Sequence, residues 1–162
     1  MSALTNAQAA SHAVANVLLA YARRGVFQDY QRVEGKNQKT AFHFGWVYDQ
    51  PYTLLCNPQQ QQLVFADLLP RIQSNSMMHR EIKTFLKSRS DPALPEHRRL
   101  DPKRMTLKSR LSQTILSLEL TLVDGDYAQG TTRLVNLVHE LFLFLHEHWA
   151  DYMWENFDPT LE

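Results

Sequence analysis

The sequence predicts an α+β domain spanning residues 1–162: an antiparallel β-sheet of about five to six strands with an N-terminal helix, a middle helix and a long C-terminal helix. Three observations predict it. Residues 42–48 and 116–122 alternate large apolar side chains with small or polar ones, the period of a half-buried strand. Residues 134–153 place apolar side chains over one half of a helical wheel. Turn signals at Gly35-Lys36-Asn37, Asp49-Gln50-Pro51 and Asn57-Pro58 divide the strand-like runs at the short spacing of an antiparallel meander. The expected order is α-β-β-β-(β)-α-β-β-α.

Composition agrees with a packed domain. Hydrophobic residues make up 44% of the 162, charged residues 21%, and Lys plus Arg balance Asp plus Glu at 17 each. These values exclude disordered, collagenous and low-complexity chains. A single Cys leaves no disulfide framework within the chain and fits a reducing compartment, so a cytoplasmic location is expected. Uninterrupted apolar runs such as the five residues Leu141 to Leu145 are well under the ~20 of a membrane helix. No secretory leader is read at the N-terminus.

The first helix begins at Thr5, which forms a capping-box spacing with Gln8. Ala7, Ala10, Val14, Val17, Leu18 and Tyr21 share one face, and Gly25 is a natural stop. Residues 26–34 read as a strand from Val26, Phe27, Tyr30 and Val33. Residues 40–48 are the clearest strand, with Phe42, Phe44, Trp46 and Tyr48 on one side and Ala41, His43, Gly45 and Val47 on the other. That aromatic row reads as core under a helix rather than as an exposed platform. Tyr52 to Cys56 and Leu63 to Ala66 continue the meander.

A middle helix is read over 76–88, directing Met78, Ile82, Phe85 and Leu86 inward after N-caps at Ser74, Asn75 or Ser76. Residues 89–104 hold Pro92, Pro95 and Pro102 and read as a loop with a short strand at 96–100. Residues 105–123 fit two strands joined by a tight turn near Ser112-Gln113, or one strand with a bulge there. Leu107, Leu111, Thr114 and Leu118 would also fit a helix, but the strict alternation over 116–122 favours strands. Asp126 caps the last helix, with Gln129 at the capping-box position, and the helix is expected to run to about residue 154. Twelve positions fill its apolar half. Eleven are apolar and the twelfth is His148, read as a core or interface histidine.

This element order resembles the α/β fold of type III secretion chaperones and related small bacterial domains. The resemblance lies in element order over most of the chain. It implies a homodimer that binds a partner polypeptide without chemistry, and no functional residue transfers from it.

Catalytic patterns are sparse. His139-Glu140 and His146-Glu147-His148 lack the His at i+4 that a zincin helix needs, so no metal is expected. Cys56 with His43 as base, or a perturbed His148, would serve a small enzyme or ligand-binding protein. No phosphate-cradling glycine loop, nucleophile elbow or dinucleotide fingerprint is present, and no cofactor is expected.

Charge is distributed unevenly. Residues 71–110 hold 11 Lys and Arg against 4 Asp and Glu, whereas residues 111–162 hold one Arg against 9 acids. The densest basic cluster includes Arg98, Arg99, Arg104, Lys108 and Arg110. It has no interleaved aromatics for base stacking, so a basic nucleic-acid accessory role ranks third. The two oppositely charged segments are placed to face one another in the fold. The leading expectation is a non-enzymatic protein-interaction or chaperone-like module forming a homodimer. Its candidate partner-binding residues are Arg98, Arg99, Arg104, Lys108, Arg110, His43, Leu143 and Trp154. The last two fall on the polar side of the final helix.

Overall fold

The computed structural model describes residues 6–157. Thr5, the expected N-cap, lies outside them. The first helix, α1, covers Asn6–Arg23. Strands β1 (Gln28–Glu34), β2 (Thr40–Gly45), β3 (Pro51–Asn57) and β4 (Gln62–Leu69) then run as an antiparallel meander. Helix α2 (Met77–Ser88) and a loop lead to the hairpin β5 (Met105–Ser112) and β6 (Ile115–Leu122). Helices α3 (Tyr127–His148) and α4 (Ala150–Phe157) complete the order. The six strands form one antiparallel sheet, β1-β2-β3-β4-β6-β5, so β1 and β5 are its edges.

All four helices occupy one side of the sheet. Helix α1 packs on α3, and α3 packs on α2 and α4, while α1 and α3 reach down to the strands. Burial therefore alternates along β2 and β6: Phe42, Phe44, Leu116, Leu118, Leu120 and Leu122 are enclosed, and the residues between them on each strand are half-buried. The core is one contiguous cluster running from Ala10 to Phe157. Gly130 lets α3 lie close on β6, because a Cβ there would come within 2.5 Å of a Leu122 methyl.

The aromatic row is core, as expected: Phe42, Phe44, Trp46 and Tyr48 are all buried. Trp46 stands in a cage of rings, 5.4 Å from Phe27, 5.9 Å from Tyr52 and 6.4 Å from Phe65. The strand itself ends earlier than expected, at Gly45. A 3₁₀ turn over Val47–Asp49 holds Tyr48 at φ 59, and this turn, not a continued strand, brings its ring 5.7 Å from Phe142.

Other boundaries differ for identifiable reasons. Strand β4 extends to Leu69 because Asp67, at φ 51, forms a bulge that shifts register between Phe65 and Leu69. The bulge turns both Leu68 and Leu69 inward, which breaks the alternation that would mark them as strand. The strand expected at 96–100 is a 3₁₀ turn over Glu96–Arg98. Its chain is held by Arg99 N–H donating to Glu96 O, and Leu100 N–H donates to Arg89 O instead of to a sheet neighbour.

The last helix does not run unbroken to 154. Trp149 leaves helical geometry at φ −136, ψ 51, and its indole N–H donates to Glu81 Oε1 at 3.0 Å on α2. Past this break α4 buries Met153 and Phe157. The wheel placed His148 among core positions by direction alone, but it is the last residue of α3, where the chain turns away into α4. His148 is instead exposed at the end of α3, its ring 4.8 Å from that of Phe144.

Candidate functional site

The sheet presents its second side to solvent, and among the described residues no helix or loop lies over it. Register fixes what this side displays. Val33 pairs with Ala41, Ala41 with Leu55, Leu55 with Val64, Val64 with Glu119, and Glu119 with Lys108. One row thus crosses all six strands, and its first four positions are apolar. The parallel row beside it is Gln31, His43, Thr53 and Ala66. Val33, at the β1 edge, is 48% exposed. Alternation makes this display unavoidable, since residues on a strand that do not face the helices must face away from them.

His43 belongs to this outer side. Its Nδ1 is hydrogen-bonded to the Thr53 hydroxyl at 2.9 Å, directly across the strand pair. Cys56 lies on the opposite, helix-facing side, opposite Thr40 in the register, and is fully buried. The sheet backbone therefore separates His43 from Cys56, and His43 cannot serve as its base. Burial pushes the Cys56 thiol up to about 12, with Arg32 lowering it and Glu34 raising it to lesser extents. At neutral pH it is a thiol, not a nucleophilic thiolate. With His148 at the exposed end of α3, the three residues of the enzyme or ligand-binding reading occupy three separate places.

The basic cluster is largely spent inside the chain. The guanidinium of Arg98 binds Glu140, with Nε 3.0 Å from Oε2, and Arg89 Nη1 reaches the same oxygen at 2.9 Å. Arg104 spans Asp124 at 2.6 Å and Asp126 at 3.2 Å, and Arg110 meets Glu119 at 3.1 Å. Each of these pairs joins the basic middle segment to the acidic end, as their opposite charges led us to expect. Arg99 donates to the Pro92 carbonyl. Lys108 is exposed on β5, on the outer side. Leu143 and Trp154 are 55% and 57% exposed on α3 and α4.

A polar network that the sequence reading missed ties α1 to the β1–β2 hairpin. Arg32 Nη2 donates to Ser11 Oγ at 2.7 Å, Ser11 donates to Thr40 Oγ1 at 3.0 Å, and Thr40 donates to Glu34 Oε2 at 3.1 Å. Arg32 Nε closes the ring on Glu34 Oε1 at 2.9 Å, and Nη1 lies 3.5 Å from His12 Nδ1. These side chains border a cleft of about 390 Å³. Ser11 and Thr40 are buried, and each is satisfied by the others. Ser11 Oγ accepts from the Arg32 cation and donates its proton to the Thr40 hydroxyl, so the network is an anchor rather than an activated nucleophile. Its bonds span 2 to 29 positions, with no periodic signal to connect them.

No family model, curated protein or solved structure matches the chain. Among the described residues, no helix is long and apolar enough to cross a membrane.

Proposed function

We propose that this protein is a non-enzymatic, chaperone-like interaction module that holds a partner polypeptide on the outer side of its sheet. The observation that carries this reading is the row Val33, Ala41, Leu55 and Val64, continuous over four strands on the side of the sheet away from the helices, with Val33 exposed and the other three half-buried. Apolar surface left in water favours association, and a flat row of small and branched side chains fits an extended or helical segment laid across it. Separation of His43, Cys56 and His148 removes the arrangement that the enzyme reading needs. Self-neutralisation of Arg98, Arg104 and Arg110 breaks up the cationic patch on which nucleic-acid binding would depend. A homodimer in the cytoplasm fits the same reading, as does the resemblance in element order to type III secretion chaperones.

The test is binding of a permanently unfolded, reduced and alkylated model polypeptide to wild-type protein and to Leu55→Lys. Leu55 is half-buried on the outer side, away from the core, so the substitution keeps the fold. The expected result is saturable binding by the wild type and a loss of about tenfold or more in Leu55→Lys at an unchanged unfolding midpoint, which corresponds to ~1.4 kcal/mol. Equal binding by both proteins, or binding by neither, overturns the reading.

A further inference from the structure

We propose that β1 pairs antiparallel with β1 of a second copy of this chain, with Val33 facing Val33 across the two-fold axis. The inference rests on the outer side being an interaction surface, and it deepens that reading by naming the edge at which two such surfaces join.

The two edges of the sheet differ. On β5 the outward-facing positions include Lys108 and Arg110, and charged side chains along an edge oppose the addition of another strand. On β1 the corresponding positions are Gln31 and Val33, without charge, and the charges on its helix-facing side, Arg32 and Glu34, are of opposite sign and pair with one another. Among the described residues no strand pairs with the outer edge of β1. Gly35 N–H donates to Lys39 O at 2.7 Å, which sets the phase of the ladder: Gly35, Val33 and Gln31 turn their polar groups toward β2. The N–H and C=O groups of Arg32 and Glu34 therefore face away from the sheet, toward an incoming strand.

Charge and packing select the register. With Val33 on the axis, Arg32 of each copy stands opposite Glu34 of the other, in a hydrogen-bonded pair formed twice. Glu34 retains the capacity for this contact, because its side chain is 66% exposed despite its bonds to Arg32 and Thr40 of its own chain. Val33 and its symmetry mate then form a non-hydrogen-bonded pair, the kind in which facing side chains come closest. Sliding one step toward Arg32 sets Arg32 against Arg32. Sliding further, to Gln31, places Val33 against Asp29, where the bulge at φ 54 already interrupts the strand. Only the Val33 register carries the apolar row through the interface, from Val64 of one copy to Val64 of the other, doubling its length. A two-fold axis makes the contact self-complementary and closed, so it stops at the dimer.

The test uses the purified chain alone, without any polypeptide ligand. Val33→Cys under mild oxidation is expected to form a disulfide-linked dimer, since facing Cβ atoms of such a pair lie within bridging distance. Gln31→Cys is expected to stay uncrosslinked, because the two introduced thiols would stand about 13 Å apart along the strand. Cys56 is buried and supplies no competing thiol. Val33→Lys is expected to raise the dimer dissociation constant, measured by sedimentation, by about tenfold or more at an unchanged unfolding midpoint. A wild-type chain that sediments only as an 18.9 kDa monomer overturns the proposal. So does a dimer in which Gln31→Cys bridges, or one in which neither substituted chain bridges. A Val33→Cys crosslink in a protein that fails to bind unfolded polypeptide upholds the pairing and rejects only the functional reading it rests on.

Discussion

Glu140 on α3 receives Arg89 at 2.9 Å across the boundary with α2, and both side chains are largely enclosed, at 13% and 12% exposure. Arg98 binds the same carboxylate from the loop, but it is 44% exposed. Arg89 also lies over the Phe85 ring, 4.4 Å from its centre, so the pair is embedded in the apolar contact between α2 and α3.

Glu140→Ala leaves the Arg89 cation enclosed without a carboxylate. The expected loss is about 3 kcal/mol, the range for breaking a largely buried pair. Arg98→Ala removes only an exposed partner, and the expected loss is below about 1 kcal/mol. Urea denaturation of the two variants checks the difference. Equal losses would mean that Glu140 is stabilised by its position rather than by Arg89.

Trp46→Ala is expected to cost about 3–5 kcal/mol, because an indole ringed by Phe27, Tyr52 and Phe65 leaves a cavity that the sheet cannot close. Trp154→Ala is the control. Its side chain is 57% exposed, and the expected change is within about 0.5 kcal/mol. Similar midpoints for the two variants would show that the aromatic row is not a cohesive part of the core.

Gly130→Ala sets two effects against each other. Alanine gains ~1 kcal/mol over glycine within a helix. The new methyl would meet Leu122 Cδ2 at 2.5 Å, and Leu122 is fully buried, so its rotation is constrained by the surrounding packing. Overpacking of this kind costs about 1–3 kcal/mol, and a net destabilisation is expected. A more stable variant would show that Leu122 has an unoccupied rotamer to move into.

These residues also mark where sequence reasoning stops. The β5–β6 hairpin and the Asp126 cap were legible because each is signalled locally. Leu116 to Leu122 alternate strictly, and Asp126 Oδ1 accepts from Gln129 N–H at the capping spacing. Trp46 was legible as core for the same reason. The bulges at Asp29 and Asp67 place non-glycine residues at positive φ, a choice imposed by register between strands rather than by residue type. The break at Trp149 depends on Glu81, 68 positions away, and the Ser11–Thr40 bond spans 29. At the candidate site, alternation identified the outer face of β2, including His43. The full row emerged only once the register of β1, β3 and β4 was known.

His79 supplies the pH dependence. It is buried in the first turn of α2, and its Nδ1 accepts from the Asn75 backbone N–H at 3.1 Å while its own N–H donates to the Ser76 cap at 3.1 Å. An accepting Nδ1 carries no proton. Burial, and secondarily the Lys83 charge, hold the ring's pKa below its ordinary value of 6.5. The folded chain therefore binds this proton less readily than the unfolded chain. Stability is at its plateau above about pH 6.5 and declines as pH falls below that value toward the depressed folded pKa, because protonation favours the unfolded state. Protonation also removes the acceptor that holds Asn75, loosening the start of α2. His79→Asn keeps an acceptor near the Nδ1 position but does not titrate. Urea midpoints between about pH 7.5 and about pH 5.5 are expected to fall further for wild type than for His79→Asn, a comparison in which every other titrating group is shared. Parallel declines in the two proteins would assign the acid sensitivity to groups other than His79.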